Sequence, residues 1–213
     1  MIPRAFDWMA HSLIRTVTAL SILCLAASAA TAQTPSRFIR IGAVSNVPIG
    51  WTQFCETYEG ICDTKPTAAR DVVLDQKAWA DLQRVNAWVN HTIKPETDTD
   101  HYGIIQWWRF PDDGVGACHS YALLKRRMLL DGGWPRSALL MTIVHEANGE
   151  GHAVLTVKTD RGEYILDNLT DRIRLWSETP YHFDKRQSQA DPNVWVWLDD
   201  THMAAPMVIS SLK

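Results

Sequence analysis

The chain predicts an α+β fold, and three observations carry that expectation. First, apolar residues recur at three- and four-residue steps from Ala68 to Ile93: Val72, Val73, Trp79, Leu82, Val85, Trp88 and Val89. Asp75, Gln76, Lys77 and Arg84 lie off this stripe, so the segment reads as an amphipathic helix. Second, a run of strong helix formers follows Cys118. Leu123, Leu124, Met128 and Leu130 give it an apolar side, with Lys125, Arg126 and Arg127 expected to face water. Third, β-rich runs then follow one another across short turns. Helices come first and strands after, so the expected sheet is an antiparallel meander rather than a set of βαβ units.

Taken in order, residues 1–32 read as a secretory signal peptide. Arg4 and Arg15 precede an apolar run from Val17 to Ala27, and Ser28-Ala-Ala-Thr-Ala32 offers an Ala-x-Ala site before Gln33. The run is too short for a membrane span, and Leu23 before Cys24 is too large for the usual lipoprotein site. One domain, 33–213, is expected after it. Residues 33–68 read as irregular, with a short strand at Phe38–Ile41 broken by Pro48 and Gly50. Lys94 to Asp100 reads as a polar loop, and Tyr102 to Phe110 as an irregular segment lining a groove. Asp112-Asp-Gly-Val-Gly116 is a flexible turn into Cys118. Gly132, Gly133 and Pro135 stop the helix. Strands are expected at Ala138–Val144, His152–Val157, Tyr164–Asp167 and Val194–Leu198, with a tight turn at Asp160-Arg-Gly162.

Composition narrows the function. Hydrophobic residues make up 46% and charged residues 21% of 213, and the formal net charge is −3 with no long basic run. A nucleic-acid surface is therefore not expected. No phosphate loop, Rossmann turn or Gly-x-Ser-x-Gly elbow is present. No membrane-spanning run follows the signal segment.

The cysteines point to chemistry. Export leaves Cys55, Cys62 and Cys118. Cys55 and Cys62 close a short loop containing Gly60, and in an oxidising compartment a disulfide between them is expected. Cys118 is then odd and free. At the first turn of a helix, unpaired N–H groups and the dipole favour its thiolate, which is the nucleophile in cysteine catalysis. His152 opens one expected strand and Asp167 closes the next, so the tight turn brings them near each other. A histidine there can serve as general base, with a carboxylate fixing its tautomer. A simple hairpin about Arg161-Gly162 would set His152 against residue 171, so Asp171 rivals Asp167. Gln106 is the candidate oxyanion donor. His119 is expected to point to another helix face than Cys118 and not to act as base. His101, His145, His182 and His202 carry no role. A zinc site from Cys118, His119 and His152 is the lesser alternative.

The stretches Gly116-Ala-Cys-His-Ser-Tyr-Ala-Leu-Leu-Lys-Arg-Arg127, Gly133-Trp-Pro135, Gly149-Glu-Gly-His-Ala-Val-Leu-Thr-Val157 and Tyr164-Ile-Leu-Asp-Asn-Leu169 resemble the bacterial transglutaminase-like cysteine proteinases. The resemblance implies a papain-like transglutaminase core and an exported, periplasmic cysteine endopeptidase. Its triad would be Cys118 as nucleophile, His152 as base and Asp167 as orienting residue. It further implies a protein substrate such as a surface adhesin that holds cells in biofilms, and an inner-membrane receptor for cyclic di-GMP as regulator. Relatives hold calcium through acidic residues flanking the cysteine. Here Ala117, His119 and Ser120 carry no carboxylate, so no cofactor is expected. Two other readings use the same residues: acyl transfer to an amine, and a non-catalytic binding module on a degenerate peptidase fold.

Overall fold

The structure, a computed structural model, describes residues 36–200. The expected signal segment and His202 lie outside the described residues. A seven-stranded antiparallel sheet forms the frame. In chain order its strands are β1 (Arg40–Ser45), β4 (Leu139–His145), β5 (Gly151–Thr159), β6 (Gly162–Leu166), β7 (Arg174–Leu175), β8 (His182–Gln187) and β9 (Trp195–Asp199). Their spatial order is β1-β9-β8-β4-β5-β6-β7. A two-stranded parallel pair, β2 (Lys94–Pro95) and β3 (Val115–Gly116), stands apart. Four α-helices complete the set: α1 (Ile49–Thr57), α2 (Gln76–Thr92), α3 (Asp98–Tyr102) and α4 (Cys118–Asp131). The α+β class is as expected.

Each sheet face buries its own core. On one face Leu82, Val85 and Val89 of α2 and Leu123, Leu124 and Leu129 of α4 meet Met141, Leu155, Val157 and Leu166 of the sheet. Burying each such side chain stabilises the fold by about 1.5–3 kcal/mol before entropy is counted. The other face gathers Val144, Val154, Ile165, Phe183 and Leu198 under Ile39, Trp176 and Tyr181. Adjacent residues such as Val154 and Leu155 fall on opposite faces, as the pleat demands.

Several elements differ from expectation. The helix expected over 68–93 begins at Gln76, where the Asp75 side chain accepts from the Ala78 N–H and caps it. Val72 instead pairs with Thr159 as a parallel bridge, and Val73 and Trp88 are exposed. Within 33–68, read as irregular, lies α1. Pro48 sits at its N-cap rather than breaking it, and Trp51 and Phe54 are buried in the core. The Cys55–Cys62 disulfide is formed across the end of this helix. Lys125 and Arg126 do not face water: they are 0% and 3% exposed. The helix α4 is wedged between α2 and the sheet, so no side of it is fully wet. The Arg126 Nε donates to the Leu139 carbonyl, and its guanidinium lies over Trp51.

The start of α4 is tied down from outside. The Lys94 N–H donates to the Gly114 carbonyl and the Glu96 N–H to that of Gly116, so the end of α2 grips the segment leading to Cys118. The Tyr121 hydroxyl donates to the Ile93 carbonyl from within α4 itself.

Candidate active site

The first residue of α4 is Cys118, and Ala117 before it is extended with no side-chain cap. Its thiol is free and half-buried. It lines one cleft with two imidazoles, those of His152 and His119, and both lower its pKa. His152 stands near the start of β5. Its Nε2 lies 2.9 Å from Asp167 Oδ1, which leaves Nδ1 to serve the thiol. Both residues are buried.

The strand register explains how Asp167 reaches the histidine. Thr159 pairs with Gly162 and Leu155 with Leu166, so the hairpin turns at Asp160-Arg161, one residue earlier than assumed from sequence. Continued by one residue, this pairing sets Asp167 against Val154, on the face that carries His152. The two are then diagonal neighbours, within reach of an imidazole and a carboxylate. The chain folds back at once, and the Leu169 N–H donates to Asp167 Oδ1. The Tyr181 hydroxyl donates to Asp167 Oδ2, and the Asn90 amide donates to the Asp167 carbonyl. Asp171, the rival carboxylate, is engaged elsewhere: it pairs with His91 Nε2 at 2.6 Å and accepts from Asn90.

His119 was expected on a different face from the thiol, and the structure corrects this. In the first turn of α4, His119 lines the same cleft as the thiol of its neighbour. Its Nε2 lies 3.1 Å from Asp98 Oδ2, off the N–H axis, so the contact is an ion pair rather than an aligned hydrogen bond. Its ring stacks on Trp108, with centroids 5.4 Å apart and planes 4° from parallel. Trp108 is in turn packed edge-on to Trp195.

Charge follows from these contacts. Burial opposes the Cys118 thiolate, but the contacts with His119 and His152 outweigh it and bring the thiol down to about 6. Burial opposes the His152 imidazolium, but Asp167 and the thiolate lift it to about 10. The Asp167 carboxyl is held below its usual range: burial would raise it, but His152 and Tyr181 outweigh that.

The thiol opens into a cleft of about 360 Å³. Pro48, Ile105, Trp108, Ile143 and Ala153 give it apolar walls, and Asp184 and Lys185 of β8 add a polar edge. Gln106 lines the same cleft with φ 53, a left-handed backbone uncommon for a residue with a Cβ. His101 pairs with Asp113 and His182 with Asp200, away from the thiol. Calcium takes six or more oxygen ligands, and the three residues flanking Cys118 offer few. Ala117 offers none, His119 is a nitrogen ligand already paired with Asp98, and Ser120 is buried against Gly116. Among the described residues no group of three acidic, histidine or cysteine side chains could hold a metal ion, so the zinc alternative finds no support there.

An α+β chain with a free thiol at a helix start, facing a sheet histidine backed by a carboxylate, has the layout of a cysteine hydrolase. The sequence profile described as bacterial transglutaminase-like cysteine proteinase BTLCP matches residues 41–203, and the chain belongs to this family of cysteine peptidases. Among solved structures it is similar to Legionella pneumophila LapG, with 26% identity over 57% of this chain and 68% of that one, at a TM-score of 0.48. Calcium-bound Legionella pneumophila LapG gives 22% identity over 62% and 75%, at a TM-score of 0.49. None of the curated proteins compared with the chain matches it.

Proposed function

We propose that this peptidase is an exported endopeptidase that cuts a surface protein through an acyl-enzyme on Cys118. The observation that carries the reading is the His152–Asp167 pair at 2.9 Å, with His152 and the free Cys118 thiol lining one open cleft. In this scheme the thiolate attacks the scissile carbonyl carbon. The Cys118 N–H has no acceptor within the helix, and with the Gln106 side chain it holds the oxyanion. The imidazolium of His152 gives its proton to the departing amine. A water, deprotonated by the same ring, then releases the thioester as acid and restores the thiol. Asp167 keeps His152 oriented, and Asn90 and Tyr181 keep Asp167 in place.

Export is supported by the N-terminal apolar run with its Ala-x-Ala site and by the Cys55–Cys62 disulfide. No helix among the described residues is long and apolar enough to cross a membrane. The open cleft with apolar walls suits an extended peptide segment, and an adhesin on the cell surface is the substrate proposed. A cyclic di-GMP receptor in the inner membrane is its proposed regulator, a role that rests on the family resemblance alone.

The test compares shed surface proteins from the parent strain, a strain lacking the gene, and one carrying Cys118→Ala. A fragment released only by the parent, with a free new carboxyl terminus by mass, is expected. The same mass carrying an added amine would move the assignment to acyl transfer, and release by Cys118→Ala would end it.

A further inference from the structure

We infer that His119, held by the buried carboxylate of Asp98, is a second imidazolium at the Cys118 sulfur and takes part in catalysis beside His152. This rests on the peptidase reading above and adds a residue to it. An ordinary core histidine is satisfied by backbone. This one pairs with a carboxylate at 3.1 Å, and that carboxylate, the ring and the Cys118 thiol line the same cleft. The His119 and Asp98 side chains are 6% and 3% exposed, so water screens their attraction little. Trp108 fixes the ring from one side by flat stacking. Trp108 is itself fixed, because Gly50 of α1 lies so close that a Cβ there would fall 2.3 Å from its ring.

The groups around His119 carry both signs: Asp98, Asp184 and the thiolate are negative, His152 and Lys185 positive. Asp98 comes from α3 and Cys118 from its own helix. His152 comes from β5, while Asp184 and Lys185 stand together on the cleft wall from β8. Burial opposes the charged ring, but Asp98 and the thiolate outweigh it and lift His119 to about 9. The thiol therefore sits between two histidine–carboxylate pairs, His152–Asp167 and His119–Asp98.

Their roles differ. His152 takes the thiol proton and passes it to the leaving amine. His119 keeps its proton throughout and only donates to sulfur. Donation lowers the basicity of the thiolate, and a less basic thiolate leaves a thioester faster. His119 thus serves most in the second half of the cycle, where the carbon–sulfur bond breaks and water supplies the new oxygen.

The test is the rate of Cys118 alkylation by iodoacetamide against pH, with Cys118→Ala as blank, in wild type, His119→Gln, Asp98→Asn and Asp98→Glu. The wild-type acid limb is expected near 6. His119→Gln and Asp98→Asn should each raise it by about one to two pH units, while Asp98→Glu restores it in part. Near-UV circular dichroism and melting check that each variant is folded. A folded His119→Gln with the limb unmoved overturns the inference. Should that variant unfold, an unmoved limb in Asp98→Asn overturns it equally. A wild type with an ordinary thiol limb would instead strike the peptidase reading itself.

Discussion

At Cys118 two effects oppose each other: burial favours the neutral thiol, and two imidazoles favour the thiolate. The imidazoles win, which places the acid limb of activity near 6. Below that pH the sulfur is protonated and cannot attack. Under the proposed mechanism the alkaline limb belongs to His152, lifted to about 10, since above it the ring has no proton to give the leaving amine. The value of kcat/KM should therefore rise through about 6, dip near 9 as His119 loses its proton, and fall through about 10. Peptide hydrolysis across that range checks this, and an acid limb near the ordinary thiol value of about 8.5 would remove the thiolate from the argument. At this scale much of the site was legible. Cys118 stood out as the odd cysteine at a helix start, and His152 and Asp167 as residues brought together by a hairpin. The choice between Asp167 and Asp171 was not, because it turns on a one-residue difference in where the turn falls. His119 was misread because helical spacing says where a Cα lies, not how a first-turn side chain bends. Asn90 was read as a helix-end residue with only a weak claim on the cleft. Its three donor contacts, to the carbonyls of Asp167 and Thr170 and to Asp171, are set by tertiary packing alone.

Among the elements, α1 does more for the site than its place in the chain suggests. Gly50 allows its first turn to lie against Trp108, and Trp108 lies flat against His119. A methyl group at position 50 has no room without moving that indole. Gly50→Ala should cost about 1–3 kcal/mol by overpacking, although alanine favours helix more than glycine does. It should also lower kcat/KM, since the displaced ring is part of the cleft. Denaturant unfolding and peptide hydrolysis check the two effects, and unchanged stability would mean that Trp108 moves freely. The sequence reading missed α1 because Pro48 and Gly50 look like breakers. In fact proline stands at the cap, where its missing N–H costs nothing, and glycine at a close approach. It also missed β8, whose sequence His182-Phe-Asp-Lys-Arg-Gln187 has little apolar character. That strand is nonetheless inside the sheet, between β4 and β9, with Arg186 and Gln187 buried. Gln187 accepts from the Met141 N–H and donates to the Pro192 carbonyl, so its burial is satisfied by side-chain hydrogen bonds that no hydrophobic pattern announces. The strands rich in β-branched, aromatic and other apolar residues, β4, β5, β6 and β9, match the expected ranges to within a residue or two at their ends.

Across the whole molecule, the sheet is braced by charge as well as by apolar packing. Arg186 of β8 reaches past β4 and β5 to pair with Glu163 of β6, and Lys158 of β5 joins the same carboxylate at 2.9 Å. Arg186 and Glu163 are 2% and 0% exposed, and Lys158 is 8% exposed. Beside this path Thr142 and Thr156 share a hydrogen bond at 2.7 Å on the same face of the sheet. Taking these charges out of water costs several kcal/mol per ion, which their attraction must offset. Removing one partner leaves the other two cations buried beside each other without a counter-charge. Glu163→Gln, nearly isosteric, should therefore destabilise the protein by about 3–5 kcal/mol. The double variant Glu163→Gln with Arg186→Met should recover part of that loss, because the remaining lysine lies nearer to solvent. The Cys118 thiol shares no hydrogen bond with this network, so its alkylation at neutral pH should be unchanged while each variant stays folded. Urea unfolding of the two single variants and the double gives the coupling between the pair directly. If the two single losses sum to that of the double, Glu163 and Arg186 contribute independently and the brace across four strands does not act as one unit.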